Sequence, residues 1–90
     1  MTAIRWTTHA LQNLVDREID RGEADQTLTS PEFTVLDPPG RRVLMRRYFD
    51  STLQQEMLMR VVVEEGISET VVITIYKTSQ LQRYLRRFRK

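Results

Sequence analysis

Ninety residues suffice for one small domain, and fourteen Lys and Arg against twelve Asp and Glu leave a net charge of only +2. A chain this short buries roughly 60–65% of its unfolded surface, so any site is expected on a groove or an exposed face, not in a large enclosed cavity. The absence of cysteine excludes a disulfide framework, a thiolate nucleophile and Cys-ligated metal, and His9, the only histidine, excludes a two-histidine metal centre within one chain.

No metal or cofactor is therefore expected. No run approaches the ~18 apolar residues that span a bilayer, and the first six residues lack a basic stretch followed by an apolar one. The simplest reading is a cytoplasmic protein with no membrane contact. The small net charge conceals a strong asymmetry: residues 1–40 carry three basic side chains against seven acidic, and residues 41–90 carry eleven basic against five acidic. Basic surface in the second half points to a polyanionic partner.

In chain order, residues 3–6 read as a short extended piece, and Thr7 or Thr8 can cap a helix over 9–19 whose apolar positions are Leu11, Leu14, Val15 and Ile19. His9, Asn13, Asp16 and Arg17 form its polar stripe. Asp20 with Glu23 three residues later reads as a capping box for a weak helix ending near Thr29, because Pro31 disfavours helix at Ser30. The period then changes to two, giving strands over 32–36, 42–49, 55–64 and 70–77, joined by Asp37-Pro38-Pro39-Gly40, by a hairpin connection at 50–52 and by a turn at 65–68. Ser79 is the expected cap of a terminal helix with Leu81, Tyr84, Leu85 and Phe88 on one face and Arg83, Arg86, Arg87 and Arg89 on the other.

The expectation is a single α+β domain over 1–90: two N-terminal helices (about 8–29) packed on a four-stranded antiparallel sheet (about 32–78), plus a C-terminal helix (about 79–88). Alternation sorts the strands into two faces. Val43, Met45, Phe49, Met57, Met59, Val61, Val63, Val71, Ile73 and Ile75 are expected under the helices. Arg42, Leu44, Arg46, Tyr48, Leu58, Arg60, Val62, Thr70, Val72, Thr74 and Tyr76 are expected on the open face. Arginine forks pair with phosphate and tyrosine rings offer stacking surfaces, so this second set suits a phosphate chain with bases beside it. An ordinary solvated or helix-covered face is the alternative.

Thr7-x-His9-Ala10 opening a helix, Arg17-x-Ile19 at its end, a short helix closed by Pro31, and a strand ending Val72-Ile73-Thr74-Ile75-Tyr76 together resemble a family of small prokaryotic domains of unknown function. That family is grouped with the RelE and ParE toxins and the fold shared by barnase, colicin and RelE ribonucleases. The resemblance covers about residues 4–78 and leaves the C-terminal helix outside. It implies an endoribonuclease toxin neutralised by an antitoxin protein, with the sheet's open face as the RNA surface and His9, Arg17, Thr74 and Tyr76 as matching positions. Two departures are Asn13, where relatives often carry a basic residue, and Glu18, where they often carry glycine.

Metal-independent RNA cleavage needs a base near the 2′-hydroxyl, cations beside the phosphate and an acid for the departing oxygen. His9 is the natural acid or base, Arg46 and Arg60 the charge stabilisers, and Tyr76 or Tyr48 a proton source or stacking ring. Arg17, Arg42, Tyr48, Thr74, Lys77, Arg83, Arg86 and Arg87 complete the expected RNA-binding set. Two plainer readings stay open: His9 bonding a strand carbonyl, and Arg17 pairing with Asp20 or Glu23. The second function hypothesis is a non-catalytic RNA-binding or protein-interaction module, in which the C-terminal helix either packs its apolar stripe on the open face or presents it to a partner; under either hypothesis the oligomeric state stays open, a homodimer included.

Overall fold

The computed structural model describes residues 3–88; Arg89, expected on the basic face of the terminal helix, lies outside the described residues. The chain runs β1 (Ala3–Trp6), α1 (Thr8–Asp16), α2 (Arg21–Thr29), β2 (Phe33–Asp37), β3 (Arg41–Asp50), β4 (Gln55–Glu65), β5 (Glu69–Thr78) and α3 (Leu81–Leu85), with a 3-10 turn at Arg86–Phe88. The strands form one mixed sheet in the order β1-β5-β4-β3-β2. The expected four-stranded antiparallel meander is thus incomplete: the extended piece before α1 is a fifth strand, parallel to β5 with Ala3 opposite Glu69 and Trp6 opposite Val72.

Local chemistry explains the helix ends. The Thr7 hydroxyl accepts from the Ala10 amide at 3.0 Å and starts α1. The helix ends at Asp16, earlier than position 19, because Glu18 adopts φ +51. The Ile19 and Glu18 amides then donate back to the Leu14 and Val15 carbonyls, as in a Schellman C-cap, where glycine carries no Cβ penalty. Asp20 caps α2 by accepting from the Glu23 amide at 3.0 Å. The Glu23 side chain does not return to close a capping box; it reaches Arg46 on β3. Ser79 is not the cap of α3 either: the N-cap is Gln80, whose amide donates to the Thr78 hydroxyl at 3.1 Å.

Helices cover both faces of the sheet. Under α1 and α2, Ala10, Ile19 and Ala24 pack on Leu44, Tyr48, Met57, Met59, Val61, Val63, Val72 and Ile75. On the opposite face, Leu81, Tyr84 and Leu85 of α3 pack over Val43, Met45 and Leu58, with Phe33, Val35 and Val62 alongside. The expected phase of β3 is therefore inverted. Val43 and Met45 lie under α3, whereas Leu44, Arg46 and Tyr48 pair with Val61, Met59 and Met57 on the α1–α2 side. Both parities of β3 are apolar because both faces are covered, so alternation alone carries no phase. On β5 a bulge opposite Val62/Val63 leaves Ile73 between two ladder pairs and reverses the parity. Val72 and Ile75, not Val71 and Ile73, are the fully buried pair.

Strand β1 covers β5 only as far as Val72; from there α1 takes over the outer edge. The Thr7 hydroxyl donates to the Val72 carbonyl at 2.9 Å, and the Asn13 side-chain oxygen accepts from the Ile75 amide at 3.1 Å and the Thr74 hydroxyl at 2.7 Å. Arg17, one turn later, donates to the Ile75 carbonyl at 2.8 Å. Asn13 is 4% exposed, so these bonds have no water to replace them. Asn13→Ala is expected to lower unfolding free energy by about 1–3 kcal/mol in urea titration. Equal midpoints for wild type and Asn13→Ala would show that the contact is idle.

Candidate functional site

The expected set of open-face residues does not assemble on one face. Arg46 and Tyr48 lie under the helices. Arg46 pairs with Glu23 and its side chain is 17% exposed; Tyr48 is buried with its hydroxyl 3.4 Å from Asp50 Oδ2. Burial first, and the adjacent Asp50 charge second, push the Tyr48 phenol well above its ordinary range. The hydroxyl thus holds its proton more tightly and faces Asp50 inside the α1–α2 layer, away from the α3 face. Asp50 itself is held below the usual carboxylate range, by the Leu53 amide and then by the Lys77 ammonium.

Several other expected contacts prove architectural. Arg17 and Thr74 belong to the α1–β5 seam, and Arg17 pairs with neither Asp20 nor Glu23. Lys77 donates to the Glu18 carbonyl at 2.8 Å and to Asp50 at 3.1 Å, and Arg42 is paired with Glu65. His9 is exposed in the first turn of α1, and among the described residues no strand carbonyl accepts from it.

A different constellation forms under α3. Register places Phe33 opposite Met45, Met45 opposite Arg60, and Arg60 opposite Tyr76, one cross-strand row from β2 to β5. Over its β5 end stands Tyr84 of α3, 6.4 Å from the Tyr76 ring centroid in an edge-to-face arrangement. The Arg60 guanidinium lies 4.1 Å from the Tyr84 centroid and 5.2 Å from that of Tyr76, and Arg83 approaches the same Tyr84 ring at 5.5 Å. These distances are within cation–π range. Burial draws the Arg60 pKa down, though a guanidinium keeps its proton in a protein.

Charge pairing sets this patch apart. Arg5, Arg21, Arg41, Arg42, Arg46, Arg47 and Lys77 each face a carboxylate: Glu69, Asp25, Glu64, Glu65, Glu23, Glu32 and Asp50 in turn. Among the described residues, Arg17, Arg60, Arg83, Arg86 and Arg87 have no carboxylate partner; Arg17 is taken up by the Ile75 carbonyl, and the one hydrogen bond of the Arg83 side chain is to the Gln80 amide oxygen, at 3.3 Å. Among the described residues, the basic side chains of the second half that lack a carboxylate are therefore Arg60 beneath α3 and those of α3 and the turn after it. Tyr84 was legible only as part of an apolar stripe, and its place between two arginines depends on where α3 docks. No group of His, Cys, Asp and Glu able to hold a metal occurs among the described residues, and none of their helices is long and apolar enough to cross a membrane.

Residues 6–77 match the family model described as Domain of unknown function (DUF4258), and the chain belongs to that family. No curated protein and no solved structure matches the chain. The matched segment contains Arg60 and Tyr76 and ends before Arg83 and Tyr84, so the patch combines the family segment with the α3 helix beyond it. The two mid-strand arginines should separate in a stability assay. Arg46→Ala strands the Glu23 carboxylate beneath α2 and is expected to cost about 1–3 kcal/mol, whereas Arg60→Ala loses cation–π contacts worth about 1 kcal/mol. The reverse order in thermal or urea unfolding would contradict the placement of these side chains.

Proposed function

We propose that this DUF4258 domain is an RNA-binding module of the toxin type that takes the phosphate backbone on its α3 face. The observation that carries the reading is the unneutralised pair Arg60 and Arg83 held against one tyrosine ring, in a chain whose other strand arginines face carboxylates. Two like charges beside a partly dry aromatic surface gain from an anion between them, and guanidinium groups bind phosphate through paired N–H donors. Tyr76 and Tyr84 add stacking surface, and Arg86 and Arg87 extend the cationic track.

A second reading, endoribonuclease action of the RelE kind with an antitoxin partner, is favoured by one observation. Arg60 and Tyr76 are cross-strand neighbours, which sets a phosphate-stabilising cation beside a phenol able to deliver a proton. In this version Tyr76, not His9 or Arg46, works beside Arg60. It requires α3 to leave room for the scissile phosphate.

Binding of a fluorescent single-stranded RNA, followed by anisotropy across a salt series, tests the main reading. Affinity should fall with salt by about 0.7 log units per log unit of salt for each phosphate neutralised. Arg60→Ala with Arg83→Ala should weaken binding at least about tenfold and lower that slope by about 1.4. Salt-independent binding, or a double variant that binds like wild type, would refute it. Cleavage of the same RNA in EDTA, abolished by Tyr76→Phe, would support the nuclease reading; intact RNA after prolonged incubation would dismiss it.

A further inference from the structure

The β2 end of the same cross-strand row carries a second feature, whose interpretation rests on the RNA-binding reading. Phe33 there meets Phe88, with ring centroids 4.8 Å apart and planes inclined by 41°. Together with Arg47, Gln82 and Leu85 they line an open cavity of about 200 Å³. Phe88 remains 37% exposed although it closes one wall. The Arg47 guanidinium lies 5.6 Å from the Phe33 centroid, so the cavity has two aromatic surfaces and one planar cation at its rim.

The charges at this cavity differ from those at Tyr84. Arg47 is neutralised by Glu32, which accepts from its Nη2 at 2.8 Å and from its backbone amide at 2.8 Å. Hydrogen bonding from Arg47 holds the Glu32 carboxyl below its ordinary range, so the pair stays ionised and locally balanced. A second phosphate therefore gains little here. The group that fits is neutral and flat, with hydrogen-bonding edges: the exposed Gln82 amide offers two N–H donors and a carbonyl acceptor and has no hydrogen-bond partner among the described residues.

We infer that the Phe33–Phe88 cavity is a nucleobase subsite, taking one unstacked base of the single strand whose phosphates lie on Arg60 and Arg83. Unpaired RNA presents such bases, which proteins stack on aromatic rings and guanidinium planes while hydrogen-bonding their edges. The spacing is compatible with one ligand. Phe33 and Arg60 are two strand positions apart in the row, about 10 Å at the usual inter-strand distance. Tyr84 of α3 meets Tyr76 and Arg60, and Phe88 of the following 3-10 turn meets Phe33, so both contacts come from the short segment 84–88. The two ends divide the work: the Arg60–Arg83 end contributes salt-sensitive affinity, and the Phe88 end contributes discrimination among bases.

The test compares the full chain binding an RNA 12-mer with binding of an otherwise identical strand carrying abasic riboses at alternate positions. The subsite predicts that base removal costs the wild type about tenfold in affinity, and that Phe88→Ala largely erases this difference. Gln82→Ala, an exposed change that removes no packing, should narrow the spread of affinities among the four homopolymers. If the wild type binds intact and abasic strands equally, with the salt dependence intact, the base subsite is refuted while the phosphate-binding reading stands. If it binds neither strand, both readings fall. An abasic penalty that Phe88→Ala leaves undiminished, in a variant whose circular dichroism is unchanged, places the base elsewhere and also refutes the subsite.

Discussion

The outer edge of β5 is the constraint on which the rest of this structure depends. Backbone groups on an edge strand must find partners or invite pairing with another chain. Here β1 satisfies only the first half, and the second half is satisfied by side chains of α1: Asn13 for the Ile75 amide, Arg17 for its carbonyl, and Thr7 at the handover. Positions 13 and 17 are one helical turn apart, so one face of α1 does the work of a sixth strand. That ties α1 down along β5, brings Ala10 and Leu14 into the core cluster that holds Val72 and Ile75, and leaves the other sheet face to α3.

With α1 fixed, charge sorts by face. The acidic helical half of the chain supplies Asp25, Glu23 and Glu32, which neutralise Arg21, Arg46 and Arg47. The turn-proximal ends of β4 and β5 neutralise Arg5, Arg41 and Arg42. Among the described residues, Arg17 is held by the Ile75 carbonyl, Arg60 lies beneath α3, and Arg83, Arg86 and Arg87 belong to α3 and the turn after it. A ninety-residue chain has little room for an enclosed pocket, and the candidate site is a sheet row under a short helix, with Phe33 at one end and Tyr76 at the other. The motif residues Thr7, Arg17 and Thr74 that carried the family resemblance build this scaffold; Tyr76 alone of the matching positions lies within the row.

Much of this fold was legible because its signals are local. The Thr7 and Asp20 caps, the proline turn before β3, the alternation in β4 and the terminal helix face all depend on near neighbours in sequence. The phase of β3 was not legible, because Val43 and Met45 are as apolar as Leu44 and either set satisfies a buried face. Nor was the bulge at Ile73, which has no composition of its own. A one-residue error of phase moves Arg46 from one face to the other, so the grouping of Arg46 with Arg60 failed while Arg60 and Tyr76 survived as neighbours. Tyr84 and Phe88 read as core-forming residues, and only the docking of α3 reveals that they also touch Arg60 and Phe33.

The central claim is that α1 and its motif residues hold the fold while the α3 face meets RNA. The most direct measurement is a 1H–15N titration of the full chain with a short single-stranded RNA, including arginine side-chain Nε resonances. The account predicts the largest shifts at Arg60 and Arg83 Nε and at the Tyr76 and Tyr84 amides, with Asn13, Arg17 and Ile75 nearly silent. Shifts centred on His9 and Arg17 instead, with the Arg60 and Tyr84 signals unmoved, would contradict it.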